Sequence, residues 1–280
     1  MKKIIITADD YGMCQPVDTA IDKCIEAEVV TTTNVILNME TPKNAMSLRT
    51  RYPNISIGIH WNVTTGKPLL DKGIIPSLVD VNGFFFPLSE FKKRISKGKI
   101  DKTHLKAELG AQYEAFYKLC GKPDYWNTHE NSALCFSSFK IFSIIAKEYG
   151  ILATRNFQRV YIDINSVPFK RRMKELLHRI VFDIWFGIFV KRNFIMPDAR
   201  LFPFKLESKY NLTKLIKVLN SSKCKSIEIV AHPAITKDHK FFGNLSKDRL
   251  DEYNFFSNKE LRKLFEKNNL ILSNFTEIVD

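Results

Sequence analysis

The sequence predicts an α/β protein built on a parallel sheet, and two observations carry this prediction. Short apolar runs of strand-forming residues alternate along the chain with longer segments of helical periodicity. Strands separated by helices favour right-handed βαβ crossovers, which give a parallel sheet that is open or closed into a barrel. About seven strands over a chain of 280 residues favour the barrel.

The predicted elements follow in order from the N-terminus. Strands are predicted near residues 2–8, 33–37, 55–60, 124–129, 151–154, 226–231 and 270–273. Helices are predicted near 15–27, 42–50, 103–120, 137–149, 211–220 and 247–267. The connections 61–102 and 155–210 are long, and loops of that length usually build or cover a site.

A single domain is expected over residues 1–280. With 45% hydrophobic and 26% charged residues, the chain can bury a large core, and no stretch rich in proline, glycine or serine divides it. Five scattered cysteines without C-x-x-C spacing predict reduced thiols. The sequence enters a strand without the pattern of a secretory signal peptide, so a cytoplasmic location is expected.

The chain carries a formal net charge of +13, but its 43 lysines and arginines are spread along the whole sequence. Without a basic stripe or a recognisable motif, a nucleic-acid partner is not expected. The densest basic segment, residues 170–192, includes an apolar run too short to span a membrane. We interpret this segment as part of a helical lid near 156–205, with contact to a membrane surface as the alternative.

Two adjacent carboxylates, Asp9 and Asp10, end the first predicted strand just before Gly12. In α/β folds, parallel strands deliver the residues at their carboxyl ends to the edge where ligands bind. This position favours a functional site. The alternative is that the pair only caps the helix that follows.

Histidines end two further predicted strands. His60 follows the run 55–59, and His129 follows the run 124–128. One carboxylate and two imidazoles leave open positions on a divalent ion, which is typical of catalytic metal sites. A second carboxylate can then take a proton from a metal-bound water. The expected cofactor is one divalent metal ion, with zinc and magnesium as the leading identities.

Two more residues follow predicted strands in the second half of the chain. His232 follows the run 226–231 and is a candidate to protonate a leaving amine, or a turn residue held before Pro233. Arg155 follows the run 151–154 and is a candidate to orient the base or to bind substrate.

Four spaced motifs resemble those of a known family. Thr-Ala-Asp-Asp-Tyr-Gly at 7–12, Gly-Ile-His at 58–60, Asn-Thr-His at 127–129 and Ala-His-Pro at 231–233 occur in the order seen in YdjC-like carbohydrate deacetylases, which include chitooligosaccharide deacetylases. The resemblance covers nearly the whole chain. It implies a distorted (β/α) barrel akin to the polysaccharide deacetylases, and a metal-dependent removal of acetyl groups from N-acetylated sugars.

The resemblance also implies roles for single residues. Asp10, His60 and His129 would hold the metal, Asp9 would be the general base and His232 the general acid. Arg155 is expected to join the catalytic set. Asn62, Trp61 and Asn131 are expected to contact the substrate.

The third motif departs from the family pattern Asp-x-His-x-His, because Asn127 and Asn131 replace its first and last residues. Asn127 can hydrogen-bond a neighbour, but it cannot carry the charge that would polarise an imidazole. We therefore expect metal affinity or substrate choice to differ from those typical of the family.

The expected function is the hydrolysis of an N-acetylated sugar, such as an N-acetylglucosamine-containing oligosaccharide or glycan intermediate, to acetate and a free amine. The alternative is a non-catalytic carbohydrate-binding protein on the same scaffold. A glycoside hydrolase is disfavoured, because its two carboxylates must lie about 5–9 Å apart across the scissile bond. A membrane-surface contact through 170–192 and a homodimer are left open as further partnerships.

Overall fold

The computed structural model describes residues 1–156, 159–161, 169–170, 173, 176–177, 193–202, 212–243 and 246–278. Most of the segment 170–192 and much of the predicted lid near 156–205 lie outside the described residues, so the lid and its membrane alternative stay predictions. Among the described residues, no helix is long and apolar enough to cross a membrane.

The described chain alternates strands and helices as the sequence predicts. The strands are β1 (Lys2–Tyr11), β2 (Thr32–Val35), β3 (Ser56–Trp61), β4 (Trp126–Thr128), β5 (Arg159–Tyr161), β6 (Ala199–Phe202), β7 (Ser226–Ala231) and β8 (Leu270–Ser273). The helices are α1 (Gln15–Glu26), α2 (Leu48–Arg51), α3 (Leu88–Ser96), α4 (Lys102–Cys120), α5 (Phe136–Glu148), α6 (Leu212–Ser221), α7 (Ser246–Phe256) and α8 (Glu260–Lys267). Short 3₁₀ helices span Pro42–Ser47 and His129–Asn131.

Several elements differ from the prediction; strands β5 and β6, for example, lie inside the connection 155–210. Instead of a strand at 151–154, an isolated parallel bridge pairs Ala153 with Ile195. The helix predicted at 247–267 is divided into α7 and α8, and Asn258 accepts a hydrogen bond from the Glu260 backbone N–H as α8 begins. Helix α3 lies inside the connection 61–102. An apolar sequence pattern does not show which strand a segment will pair with, or at which residue a helix will end. Strand pairing and helix boundaries therefore had to come from the tertiary structure.

The first of two compact units comprises Met1–Ala8, Ala20–Thr32 and Ala153–Asp280. Within it, β1 pairs in parallel with β7 and with β8, β7 pairs with β6, and β6 pairs with β5. Ala8 is the register partner of Ala231, the last residue of β7. The side chains of Ile4, Ile5 and Ile6 are completely buried, which explains the continuous apolar run in this strand.

The second unit comprises Asp9–Thr19 and Thr33–Leu152. Strand β3 lies between β2 and β4, and its parallel register with β4 pairs His60 with Asn127. Trp61 of β3 and Trp126 of β4 belong to an aromatic cluster: the Trp61 ring is 5.6 Å from that of Trp126 and 5.8 Å from that of Phe142. These buried indole and phenyl rings pack together in the core of the unit.

Two polar residues of α4 anchor the loop that follows β3. The Glu108 carboxylate accepts hydrogen bonds from the backbone N–H groups of Leu69 and Leu70. Gln112 donates to Glu108 and to the Asn62 carbonyl, and its own carbonyl accepts from the Asn62 N–H. These side chains thus supply the hydrogen bonds that the loop's backbone groups would otherwise make to water, as buried backbone groups require.

Gly58 in β3 lies against the Tyr125 ring. A Cβ at this glycine would lie 2.3 Å from Tyr125 Cε1. We expect Gly58→Ala to cost about 1–3 kcal/mol of unfolding free energy, because the added methyl group overpacks the core. Chemical denaturation measures this cost. Combining Gly58→Ala with Tyr125→Leu should cost less than the sum of the single changes, and strictly additive values would contradict a direct clash.

Burial raises the pKa of the Glu108 carboxyl above its ordinary value of 4.5, although its hydrogen bonds to Gln112, Leu69 and Leu70 act in the opposite direction. The folded state therefore binds this proton more tightly than the unfolded state. Wild-type stability relative to Glu108→Gln should fall as the pH rises from 4.5 through the raised pKa. Urea titrations over this pH range measure the difference, and parallel curves for the two proteins would contradict the assignment.

Candidate metal centre

Three ligand atoms from separate parts of the second unit converge at one point. His129 Nδ1 lies 3.0 Å from Asp10 Oδ1, and His60 Nε2 lies 3.3 Å from the same oxygen. The two ring nitrogens are 3.4 Å apart. All three side chains are buried, and among the described residues they form a group that could hold a metal ion.

The donor set fits a divalent cation. Ligands bound at about 2.0–2.1 Å in a tetrahedral site lie about 3.3–3.4 Å apart, which is close to the three separations found here. His60 Nδ1 lies 2.5 Å from Asn127 Oδ1, an atom that can only accept, so His60 donates through Nδ1 and its Nε2 presents a lone pair. A cation between this lone pair and the carboxylate oxygen would be attracted by both.

The backbone turns sharply where Asp10 enters the site. Asp10 has φ +77° and Gly12 has φ +91°, both in the left-handed region that few side chains tolerate. The Asp10 N–H donates to Asn34 Oδ1 over 3.3 Å, and the Gly12 N–H donates to Asp18 Oδ1 over 2.7 Å. A Cβ at Gly12 would lie 2.8 Å from the Ile36 carbonyl oxygen, so glycine is required there.

A second turn presents His129. Glu130 and Asn131, which follow it, both have φ +52°. The turn is closed by the Ser132 N–H, which donates to the His129 carbonyl, and by the Ala133 N–H, which donates to Thr128 Oγ1. Strained backbone of this kind costs about 1–3 kcal/mol per residue and concentrates at functional sites. Asn131 is partly exposed.

Asp9 is buried beside the three ligands, and two amides orient it. Its Oδ1 accepts a 2.6 Å hydrogen bond from Asn34 Nδ2 and a 3.4 Å contact from Asn127 Nδ2. Asn34 Nδ2 also donates to the Tyr125 hydroxyl over 3.1 Å. The unit therefore contains one carboxylate within the ligand group and another that is held by amide donors.

These observations agree with the comparison to known protein families. Residues 3–267 match the family described as YdjC-like protein. The chain belongs to the YdjC-like family. A carbohydrate deacetylase of Xenopus laevis is 27% identical over 310 residues, covering 99% of this chain and 98% of that protein. A chitooligosaccharide deacetylase of Yersinia pestis is 28% identical over 152 residues, covering 54% of this chain and 58% of that protein.

A solved structure shares the fold of this YdjC-like protein. It is the crystal structure of a candidate cellobiose-phosphate cleavage protein from Enterococcus faecalis, which superposes with a TM-score of 0.75 at 23% identity. The match covers 99% of this chain and 98% of the other. It confirms the predicted class, an α/β fold of the distorted-barrel type with parallel strands.

Two residues predicted to contact substrate have structural roles instead. Trp61 is completely buried, and its indole N–H donates to the Leu109 carbonyl over 3.1 Å, so it presents no ring face to a sugar. Asn62 is also buried. Its amide group donates to Asn38 Oδ1 and to the Thr65 carbonyl, while its oxygen accepts from the Thr64 and Thr65 N–H groups. Its side chain shapes the loop after β3, contrary to the predicted contact.

In the first unit, Arg155 forms a buried ion pair. Its Nε lies 3.0 Å and 3.1 Å from the two carboxylate oxygens of Glu228, which is completely buried in β7. Glu228 interrupts the apolar run of this strand, and that break was the sequence signal for a buried charge partner. Sequence reasoning assigned no role to this residue.

His232 lies beyond the end of β7 with its imidazole partly exposed. The backbone N–H of His232 donates to Glu252 Oε2, and His232 Nδ1 lies 3.9 Å from that oxygen. Glu252 is buried on α7 near Arg249, whose guanidinium lies 4.6 Å from the Phe242 ring. Sequence reasoning also missed Glu252, because nothing in a helical sequence indicates which distant backbone group it will bind.

The Arg155 and Glu228 pair provides a stability test with a matched surface control. Glu228→Ala leaves a buried guanidinium without its carboxylate, and we expect a loss of about 3–5 kcal/mol of unfolding free energy. Lys106 and Glu148 lie at the same 3.0 Å distance on the surface. Glu148→Ala should cost about 1 kcal/mol or less. Equal losses in the two variants, measured by urea denaturation, would contradict the importance of burial.

Proposed function

We propose that this YdjC-like protein is a metal-dependent carbohydrate N-deacetylase, which hydrolyses the acetamide of an N-acetylated sugar. The observation that carries the proposal is the convergence of Asp10, His60 and His129 beside a separately held carboxylate, Asp9. The similarity over nearly the full length to a carbohydrate deacetylase supports the substrate class. An N-acetylglucosamine-containing oligosaccharide or glycan intermediate is the proposed substrate.

Asp10, His60 and His129 would hold the ion, which is proposed to be zinc or magnesium. When bound, a divalent ion supplies a polarised carbonyl oxygen and a water of lowered pKa. The buried setting of the three side chains strengthens electrostatic stabilisation of the charge that develops in the transition state. Asn131, partly exposed after His129, stays the proposed substrate contact.

Asp9 is proposed as the general base. Asn34 and Asn127 hold its Oδ1, which fixes the direction of the carboxylate without placing it among the ligand atoms. In the proposed step, Asp9 takes a proton from the attacking water while the water oxygen bonds to the carbonyl carbon. A positioned base of this kind typically contributes about 10²–10⁴-fold in rate.

His232 is proposed as the general acid. His232 directly follows Ala231, the last residue of β7. The Glu252 carboxylate near Nδ1 stabilises a positive charge on the imidazole. His232 would then protonate the departing nitrogen as the C–N bond breaks, releasing acetate and the free amine. Arg155, oriented by Glu228, is proposed to complete the catalytic set.

Acetate release from a panel of N-acetylated mono- and oligosaccharides tests the proposal. The protein should release acetate with added zinc or magnesium and stop when a chelator is added. Release that resists the chelator would contradict metal dependence. Sugar binding without acetate release by the metal-loaded protein would favour the alternative of a non-catalytic carbohydrate-binding protein. Asn127 and Asn131, which replace residues of the family motif, are the reason for keeping this alternative.

Two variants separate the proposed roles at the site. Asp9→Asn should keep the metal and lower turnover by about 10²–10⁴-fold, because the base is lost while the ligands remain. His60→Ala should lose both the metal and turnover. His104→Ala is the control, since His104 contacts Ser77 on a different part of the unit. Wild-type turnover in Asp9→Asn would remove Asp9 from the mechanism.

A further inference from the structure

Asn127 contacts the proposed metal ligand His60 and the proposed base Asp9 with opposite ends of its side-chain amide. Its Oδ1 lies 2.5 Å from His60 Nδ1, and its Nδ2 lies 3.4 Å from Asp9 Oδ1. The parallel register of β3 and β4 makes His60 and Asn127 direct partners, and Asn127 is 2% exposed. Strand pairing therefore places one buried amide between a metal ligand and the proposed base.

The orientation of this amide is determined by its neighbours. If Oδ1 and Nδ2 were exchanged, an amide oxygen would face the Asp9 carboxylate oxygen, and two acceptors would lie together. In the observed orientation, the oxygen faces the imidazole and the NH₂ group faces the carboxylate. The amide oxygen can only accept, so the proton of a neutral His60 is on Nδ1.

This tautomer directs the His60 lone pair at the other two ligands. With Nδ1 protonated, Nε2 carries the lone pair, and it lies 3.3 Å from Asp10 Oδ1 and 3.4 Å from His129 Nδ1. The opposite tautomer would place an N–H in the centre of the ligand group. A metal ion would then have to displace that proton before it could bind.

We propose that Asn127 is a positioning residue that holds His60 in its Nδ1–H tautomer for metal binding, while its NH₂ group orients Asp9. The inference rests on the metal site of the proposed function and deepens it. A neutral amide performs both tasks, because it offers an acceptor at one end and a donor at the other. An aspartate at this position would keep the acceptor and set a second carboxylate oxygen against Asp9.

The first measurement is the tautomer of His60 in the metal-free protein. Proton–nitrogen NMR of histidine-labelled protein, at a mildly alkaline pH where an ordinary imidazole is neutral, distinguishes the two ring nitrogens. We expect wild-type His60 to be protonated at Nδ1, with its signals assigned through their loss in His60→Gln. A wild-type His60 protonated at Nε2 would overturn the proposal.

Two variants of Asn127 separate its two contacts. Asn127→Ala removes both, so the His60 tautomer should become mixed and the zinc dissociation constant should rise about 10- to 100-fold. Asn127→Asp keeps the acceptor, so the Nδ1–H tautomer should persist. Asn34→Ala is the comparison variant: it removes an amide donor from Asp9 and an acceptor from the Asp10 backbone N–H, has no contact with His60 to remove, and should leave the His60 tautomer unchanged. The His104 signals should be the same in all variants.

Zinc affinity, measured by competition with a chromophoric chelator, distinguishes this inference from the proposed function. If wild-type protein binds no zinc or magnesium, the metal site of the proposed function fails, while the tautomer in the metal-free protein still decides the role of Asn127. If Asn127→Ala is folded by circular dichroism, binds zinc like wild type and keeps the Nδ1–H tautomer, the inference fails. If that variant does not fold, loss of the Nδ1–H tautomer in Asn127→Asp would overturn it.

Discussion

The second unit is organised around three buried side chains whose ligand atoms converge at one point. Asp10 Oδ1, His60 Nε2 and His129 Nδ1 lie within 3.4 Å of one another in a buried position. Burying a carboxylate and two imidazoles together away from water costs free energy, which a bound cation would offset. Binding of such a cation would be linked to the stability of the fold.

The residues around the cluster are arranged to maintain this geometry. Asn34 accepts a hydrogen bond from the backbone N–H of Asp10 and donates hydrogen bonds to Asp9 and to the Tyr125 hydroxyl. The Tyr125 ring lies against Gly58 of β3. Asn127 connects the same carboxylate to His60. A buried polar network in which each member has a partner is rigid, and a rigid network can hold left-handed backbone at Asp10. The aromatic packing of Trp61 in β3 and the Glu108 contacts with the loop after β3 limit the remaining freedom of this strand and its loop.

In the first unit, buried charged groups likewise fix the orientation of functional side chains. Arg155 and Glu228 form a buried ion pair, and Glu252 accepts a hydrogen bond from the backbone N–H of His232. Such pairs contribute little net stability compared with apolar residues, but they determine orientation because a misplaced partner leaves a buried charge. Orientation is what Arg155 and His232 require for the roles proposed for them.

Much of this architecture could be predicted from the sequence because its signals are local. The strand run 2–8, the alternation of strands and helices, and the side chains at strand ends depend on neighbouring residues in the chain. Asp10, His60 and His129 were predicted as a set because parallel strands place their carboxyl ends at one edge. The strand predicted at 151–154 and the undivided helix at 247–267 were wrong, because pairing partners and helix ends depend on contacts from elsewhere in the fold.

The residue types that end the strands, and with them the chemistry available to this protein, could be read directly from the sequence. The contacts that each of these residues makes became known from the fold. Trp61 and Asn62 follow His60 directly, yet burial and complete hydrogen bonding give them structural roles. Asn127 appeared from the sequence to be a weakened motif residue, but its contacts with His60 and Asp9 make it a central one. The physical reason is that hydrogen bonding and burial are properties of pairs that are distant in the chain, and the distances between them are determined by folding.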